Sequence, residues 1–308
     1  MTRDASPPRC PSCSGDALRR IGAILDARLF AGQEVEGVLP ISSLYSCLAC
    51  ELKFRYPILE DVQYEELYDT GCVSAWPDEP SDRKDWSLVA EYLGQHAGAG
   101  ASVLDFGCYT GGLLGQLGSR YARFGVEVNT QAGKVAQEKT GAEVVPSLES
   151  FAADRKFDFV TAVDVVEHFA DPGSTIASLL AIVKPGGALL ITTGDADNWL
   201  WRLSGAHWWY AHYPEHLAFV SEHWIRDWLR RADGHATLAD VRRFRYLRLT
   251  PPRYALQSCL FLAHLAAPRG YARLMRRLKR VLGRHGDVKP PGIGLTKDHL
   301  FLAIRKLP

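Results

Sequence analysis

The chain has 308 residues, 47% of them apolar and 23% charged, which are ordinary proportions for a soluble globular protein. At ~150 residues per domain that length suggests about two domains with a sizeable core, and it argues against disorder, collagen-like repeats and membrane-spanning bundles. Lys plus Arg number 36 against 35 Asp plus Glu, and the resulting net charge of +1 argues against a generally nucleic-acid-binding protein.

The start, residues 1–11, is polar and shows no secretory core. Seven cysteines is an odd number, so a complete disulfide framework is not expected, and the expectation is a protein of the reducing cytoplasm. Region 1–56 carries two short cysteine pairs, Cys10-Pro-Ser-Cys13 and Cys47-Leu-Ala-Cys50. Between them, alternating segments at 23–30 and 35–41, broken by Gly32 and Gly37, predict a small antiparallel sheet. Region 57–100 reads as a helical connector, and it is acidic, with 11 Asp/Glu against 4 Lys/Arg over 51–91.

From residue 101 to 308 short apolar runs alternate with helical stretches. Strands are predicted at 102–106, 123–128, 143–145, 157–163 and 188–192, with helices at 112–120, 130–140 and 172–183. Asp171-Pro172 is a helix start, and 184–187 (Lys-Pro-Gly-Gly) predicts a stop and turn. A helix near 221–232, a strand near 238–249, a helical stretch over 253–284 and a last strand at 298–306 complete the order. Alternation of this kind implies a parallel α/β sheet. The longest apolar stretch, 254–267, is interrupted by Gln257 and His264 and falls short of the ~20 residues needed to span a bilayer.

The segment Val103-Leu104-Asp105-Phe106-Gly107-Cys108-Tyr109-Thr110-Gly111-Gly112 joins a buried strand to a helix. Glycines there let the backbone approach a ligand near a helix N-terminus. Glu127 ends the next strand, 20 residues after Gly107, where an acid can bind both hydroxyls of a ribose. Tyr109 breaks the dinucleotide fingerprint, which wants glycine at that position. Asp105, two residues before the first glycine, suits a nucleoside cofactor that carries an amino group, such as S-adenosylmethionine. A tight turn with no ligand is the bland alternative.

These residues, together with Phe124-Gly125-Val126-Glu127, the run from Phe157 to Pro172 and Val183-Lys184-Pro185-Gly186-Gly187, resemble the class I S-adenosylmethionine-dependent methyltransferases over about 85–306. The resemblance implies a Rossmann-like, mostly parallel seven-stranded sheet with helices on both faces. It implies that Asp105, Gly107 and Gly111 line the methionine end, that Glu127 holds the ribose, that Ser147 and Leu148 flank adenine, and that Asp164 sits beside the sulfonium. Tyr109, where many members have glycine, bears on the shape of the methionine-end pocket.

The two cysteine pairs are 33 residues apart and can supply four thiolates to one structural Zn²⁺, in a small zinc-ribbon-like β region. A redox pair or two unrelated pairs are the alternatives. The cysteine-rich head also resembles the zinc-binding N-terminal region of deoxysugar and other small-molecule methyltransferases. After the fifth strand, Trp199, Trp201, Trp208, Trp209, Tyr210 and Tyr213 crowd together with His207, His212 and His216. Rings of this kind can bind flat or apolar acceptors, or they can form a packed lid. His216, His168 and Asp164 are candidate bases, the two histidines having structural alternatives.

Between 241 and 290 lie 13 Lys/Arg and one acid, Asp287. Within the insertion at about 251–292, residues 254–284 form an apolar stretch followed by a basic amphipathic helix, which can meet an anionic membrane at its inner face or pack on its own domain. The expected function is methyl transfer to oxygen or carbon of a small-molecule or glycan-type acceptor. A zinc-containing RNA methyltransferase and a non-catalytic cofactor-binding interaction protein are the competing readings.

Overall fold

A computed structural model describes residues 8–308 apart from 26, 28, 36, 77–82, 233, 247–249, 284–289 and 293–295. The N-terminal strands are β1 (Leu18–Ala23), β2 (Leu29–Phe30), β3 (Gln33–Glu34), β4 (Ser43–Cys47) and β5 (Lys53–Tyr56). The segment 35–41 forms no strand among the described residues, contrary to expectation. Its Gly37 takes a left-handed φ of +78°, and Pro40 has no N–H to give to a ladder, so pairing resumes only at Ser43.

Two helices follow, α1 (Asp61–Asp69) and α2 (Lys84–His96). Strand β6 (Ser102–Phe106) then opens an alternating series, with α3 (Gly112–Leu117), β7 (Ala122–Val126), α4 (Thr130–Thr140), β8 (Glu143–Val145), β9 (Phe157–Val163), α5 (Pro172–Ala181) and β10 (Val183–Gly194). The remainder comprises α6 (Trp199–Ser204), β11 (Ala218–Phe219), α7 (Glu222–Arg231), β12 (Ala236–Phe244), α8 (Pro251–Ala266), α9 (Pro268–Val281) and β13 (His299–Lys306). Pro268 divides the expected single helix in two, because its ring cannot continue the preceding turn. Leu249, Arg284 and Asp287, which fell within those expected segments, lie outside the described residues.

The large sheet has the order β12-β13-β10-β9-β6-β7-β8. Strands β6 to β10 run parallel, β13 runs against both β10 and β12, and the sheet is therefore mostly parallel as expected. Leu189, Leu190 and Ile191 of β10 and Leu300 to Leu302 of β13 are all fully buried, because elements cover both faces of the sheet. That burial explains why these strands read as continuous apolar runs, each side chain contributing roughly 1.5–3 kcal/mol. The expected turn at 184–187 is instead a bulge at the start of β10, where the register against β9 shifts between Val183 and Ala188.

Helix ends follow their side chains. Asp171 caps α5 by accepting the Gly173 N–H at 3.0 Å, with Pro172 in the first turn. Ser221 caps α7 by accepting from Trp224 N at 3.1 Å, and it aims the buried Trp224, Ile225 and Leu229 at the sheet.

A second sheet, β1-β4-β5-β11, ties the N-terminal strands to the two residues of β11. Arg55 of β5 reinforces the joint. Its buried guanidinium donates to the carbonyls of His216 (3.1 Å), Ala211 (2.8 Å) and Tyr213 (2.9 Å). Chain order turns back between β8 and β9, so the carboxyl ends of β6 and β9 border the crevice where open α/β sheets hold ligands. Among the described residues no helix is long and apolar enough to cross a membrane.

Candidate functional site

The loop from β6 to α3 lies at that crevice. Asp105, the penultimate residue of β6, is buried and accepts a hydrogen bond from Thr161 Oγ1 at 2.6 Å, while burial pushes its carboxyl up to about 7. Gly107, Tyr109 and Gly111 all take left-handed φ values, +77°, +48° and +78°. A Cβ on Gly107 would stand 2.7 Å from Val165 Cγ2, and one on Gly111 would stand 3.0 Å from Ala136 Cα. Both glycines are thus required by packing as well as by φ. Tyr109 bears a strain of roughly 1–2 kcal/mol at its position. It is held there by its N–H, which donates to Glu127 Oε2 at 2.8 Å, and by its ring, which lies edge-on to Trp76 at 5.2 Å.

Glu127 follows β7 directly. Its Oε1 accepts from Asn129 N at 2.8 Å, so both oxygens are held by backbone N–H groups and each keeps a second lone pair. Burial pushes its carboxyl up, and these two N–H groups work against the shift. Asn129 caps α4 through its Oδ1, while its Nδ2 donates to Tyr68 O at 2.9 Å and so docks the end of α1 beside the crevice. Ser147 and Leu148 are half-buried at the turn just beyond β8, whose Val145 carbonyl accepts the Glu127 N–H at 3.0 Å.

Asp164 follows β9 with a φ of +53°. Arg83 Nη2 donates to its Oδ2 at 3.1 Å and also to Asp85. Burial, then repulsion from Asp85, raises Asp164 to about 6 despite Arg83. Its Oδ1 and the hydroxyl of Thr110 are buried and have no hydrogen-bond partner, so the crevice presents polar atoms that a ligand can satisfy.

Glu167 is fully buried and accepts from the Tyr210 hydroxyl and from Thr193 Oγ1 (3.0 Å). Burial, with repulsion from Asp164, lifts it to about 8. His168 Nδ1 lies 2.9 Å from the Tyr68 hydroxyl, and burial lowers its imidazole to about 4. His216 Nδ1 lies 2.8 Å from the Tyr210 carbonyl, which can only accept, so Nδ1 carries the proton and Nε2 is the basic nitrogen. The rings of His168 and His216 are 5.2 Å apart, and one donor atom from each of Glu167, His168 and His216 falls within 4.8 Å of the others.

Sequence reasoning missed Arg83, Tyr68, Thr161 and Thr193 in this site. Its aromatic segment turns largely inward: Trp201 and Trp208 are 1% exposed and Trp199 is 63% exposed. Of the six rings, Tyr210 and Tyr213 lie against His216, Tyr210 tilted at 4.1 Å and Tyr213 stacked at 5.0 Å.

The two cysteine pairs meet away from the crevice, and the four Sγ atoms lie within 4.8 Å of one another. Cys10 to Cys50 and Cys13 to Cys47 are each 3.5 Å apart, close to the ~3.8 Å between ligands of tetrahedral zinc with ~2.3 Å bonds. The two loops repeat one geometry. Ser14 N donates to Cys10 O and Glu51 N to Cys47 O, with φ +58° at Ser14 and +63° at Glu51, and Cys10 N and Cys47 N donate to Gly15 O and Leu52 O. The described cysteines are all free thiols, and this set fits a four-coordinate zinc.

Residues 82–234 match the family described as "Methyltransferase domain". The ubiquinone biosynthesis O-methyltransferase of Xanthomonas euvesicatoria is 35% identical over 156 residues, covering 46% of this chain and 62% of that protein. The enzyme of the same name from Cronobacter sakazakii is 30% identical over 169 residues, covering 49% and 69%. This chain thus spans about three-fifths to two-thirds of the length of these relatives. In a structure of the Haloferax volcanii Trm112 methyltransferase activator with a methyltransferase, a chain superposes with a TM-score of 0.50 at 17% identity, covering 75% of this chain and 93% of its own length, a likeness of fold alone. With the strand order and the shared sequence over its central domain, the chain belongs to the class I S-adenosylmethionine-dependent methyltransferases.

Proposed function

We propose that this chain transfers the methyl group of S-adenosylmethionine to a hydroxyl oxygen of a small-molecule or glycan-type acceptor. The observation that carries the reading is the row of carboxylates at the strand ends: Asp105 after the core of β6, Glu127 after β7 and Asp164 after β9. The lone pairs of Glu127 suit the two ribose hydroxyls. Asp105 is held partly protonated by burial, and an ammonium brought against it would restore its charge. Thr110 Oγ1 and Asp164 Oδ1 offer the methionine end the buried polar atoms that lack partners. Ser147 and Leu148 would flank the adenine.

S-adenosylmethionine supplies a methyl already activated on a sulfonium. Transfer forms the oxygen–methyl bond as the methyl–sulfur bond breaks and the electron pair leaves on sulfur. The protein must align the acceptor in line and receive its proton. We assign the proton to His216 Nε2, because the Tyr210 carbonyl fixes that tautomer. His168, lowered to about 4, is a weak base, and Asp164, tied to Arg83, positions the sulfonium side. The relatives named O-methyltransferases favour oxygen over carbon. A zinc on the four cysteines would be structural.

The basic insertion supports a peripheral contact with an anionic membrane. Leu274, Leu278 and Val281 are 65%, 47% and 76% exposed on α9 among its arginines. The test of the function is transfer of labelled methyl from S-adenosylmethionine into cell-extract fractions sorted as small molecules, lipids, glycans and RNA. Label should enter small-molecule, lipid or glycan pools. Label in RNA alone, or in no pool, would overturn the reading.

A further inference from the structure

Three histidines outside the crevice converge beneath the C-terminal insertion. His207 ends the 3-10 turn Gly205–His207, His212 ends the turn Trp209–His212, and His264 lies in the last turn of α8. One ring nitrogen from each lies within 4.8 Å of the others. His264 is 1% exposed and His212 5%, whereas His207 is half-buried and leaves a route from solvent.

Their hydrogen bonding does not close. His207 Nδ1 and His212 Nε2 are buried and make no hydrogen bond, and of the two buried ring nitrogens of His264 one faces only the His207 backbone carbonyl and the other has no partner. Each such atom costs roughly 1–3 kcal/mol, so a purely structural cluster of this composition is expensive. Among the described residues no acidic side chain faces the group. Burial holds all three rings neutral; repulsion from His264, the Arg55 guanidinium and His207 adds to it at His212, and repulsion from His207 at His264, which is lowered to about 4. Neutral imidazoles with inward lone pairs are metal ligands. His212 already has an outer support, since its other nitrogen donates to the Ala206 carbonyl and leaves Nε2 as the inward lone pair. The Glu167, His168 and His216 group contrasts with it. There Tyr210, Thr193 and Tyr68 take up the polar atoms, and that group is assigned to the proton.

We propose that His207, His212 and His264 form a second metal site, separate from the cysteines, for a divalent ion of the zinc class, which fastens α8 to the two turns after α6. Three imidazoles select such an ion over calcium or magnesium, which take oxygen ligands. Zinc–nitrogen bonds of ~2.0–2.1 Å place tetrahedral ligands ~3.3 Å apart, so small ring rotations from the present spacing close the site. The fourth position, toward His207, is left to water.

The test uses the full chain, stripped of metal under reducing conditions and titrated with ¹¹³Cd²⁺. The expected spectrum holds two resonances, one in the four-sulfur range and one far upfield in the nitrogen range. His264→Leu should remove the upfield resonance alone and lower the zinc content by one equivalent. If His264→Leu does not fold, His207→Gln at the exposed edge should give the same loss. No upfield resonance in the wild type at saturating Cd²⁺, or one that persists in a folded variant, would overturn the proposal.

Discussion

Replacing Glu127 by Gln changes the least shape and removes the most chemistry. The carboxylate now accepts two backbone hydrogen bonds of 2.8 Å, from Tyr109 and Asn129. An amide can accept only one of them, and its own NH₂ then confronts the other N–H. Losing one charge-assisted bond and leaving a partly buried donor unmet costs about 2 kcal/mol, which lowers Tm by roughly 5 °C. The ribose effect is separate. Two hydroxyls donating to a carboxylate become, at best, one neutral bond and one mismatch, worth about 2–3 kcal/mol, or roughly 30- to 150-fold in affinity. Calorimetric titration with S-adenosylhomocysteine, run beside thermal unfolding, reads both terms. A folded variant whose affinity stays within threefold of wild type would refute the role given to Glu127. A drop in Tm alone would make it only a strut for the loop at Tyr109.

Three further outcomes follow from the same structure. Glu167 is raised from the usual carboxylate range to about 8, so the native state holds a proton that the unfolded chain has lost over that window. The stabilisation is complete below about 4.5 and fades as pH rises through 8; Glu167→Gln should therefore gain in Tm relative to wild type between pH 5 and 9, and a constant difference would contradict the assignment. Cys13→Ser should release one equivalent of zinc and lower Tm by roughly 10 °C, measured by metal analysis and calorimetry, whereas retention of full metal content would exclude the four-thiolate set. Arg276→Glu with Arg277→Glu should reduce co-sedimentation with anionic vesicles several-fold without altering S-adenosylhomocysteine affinity, and unchanged sedimentation would remove the membrane contact.

The carboxyl-edge residues were legible because each belongs to a local pattern: an apolar strand, then an acid or glycine at its end. Asp105, Glu127 and Asp164 could be placed one strand at a time, and α4 and β9 begin and end where periodicity put them. The partners were not legible. Arg83 reaches Asp164 across 81 residues, Tyr68 reaches His168 across 100, and Arg55 binds carbonyls more than 150 residues away. No spacing rule links positions that meet only through tertiary packing. The aromatic segment carried a composition signal but not a direction. Whether Trp201 and Trp208 face an acceptor or the core depends on β1, β4 and α8, which pack over them, and those elements turn them inward. The N-terminal sheet was blurred for another reason, since β11 is two residues long and gives no periodicity to read.

The account stands on one ligand in one place. A crystal structure of the chain with S-adenosylhomocysteine should show the ribose hydroxyls within hydrogen-bond distance of Glu127, the amino group against Asp105 and the sulfur beside Asp164. Density for the nucleoside away from Glu127, or no density at saturating ligand in a crystal with the crevice open to solvent, would contradict it.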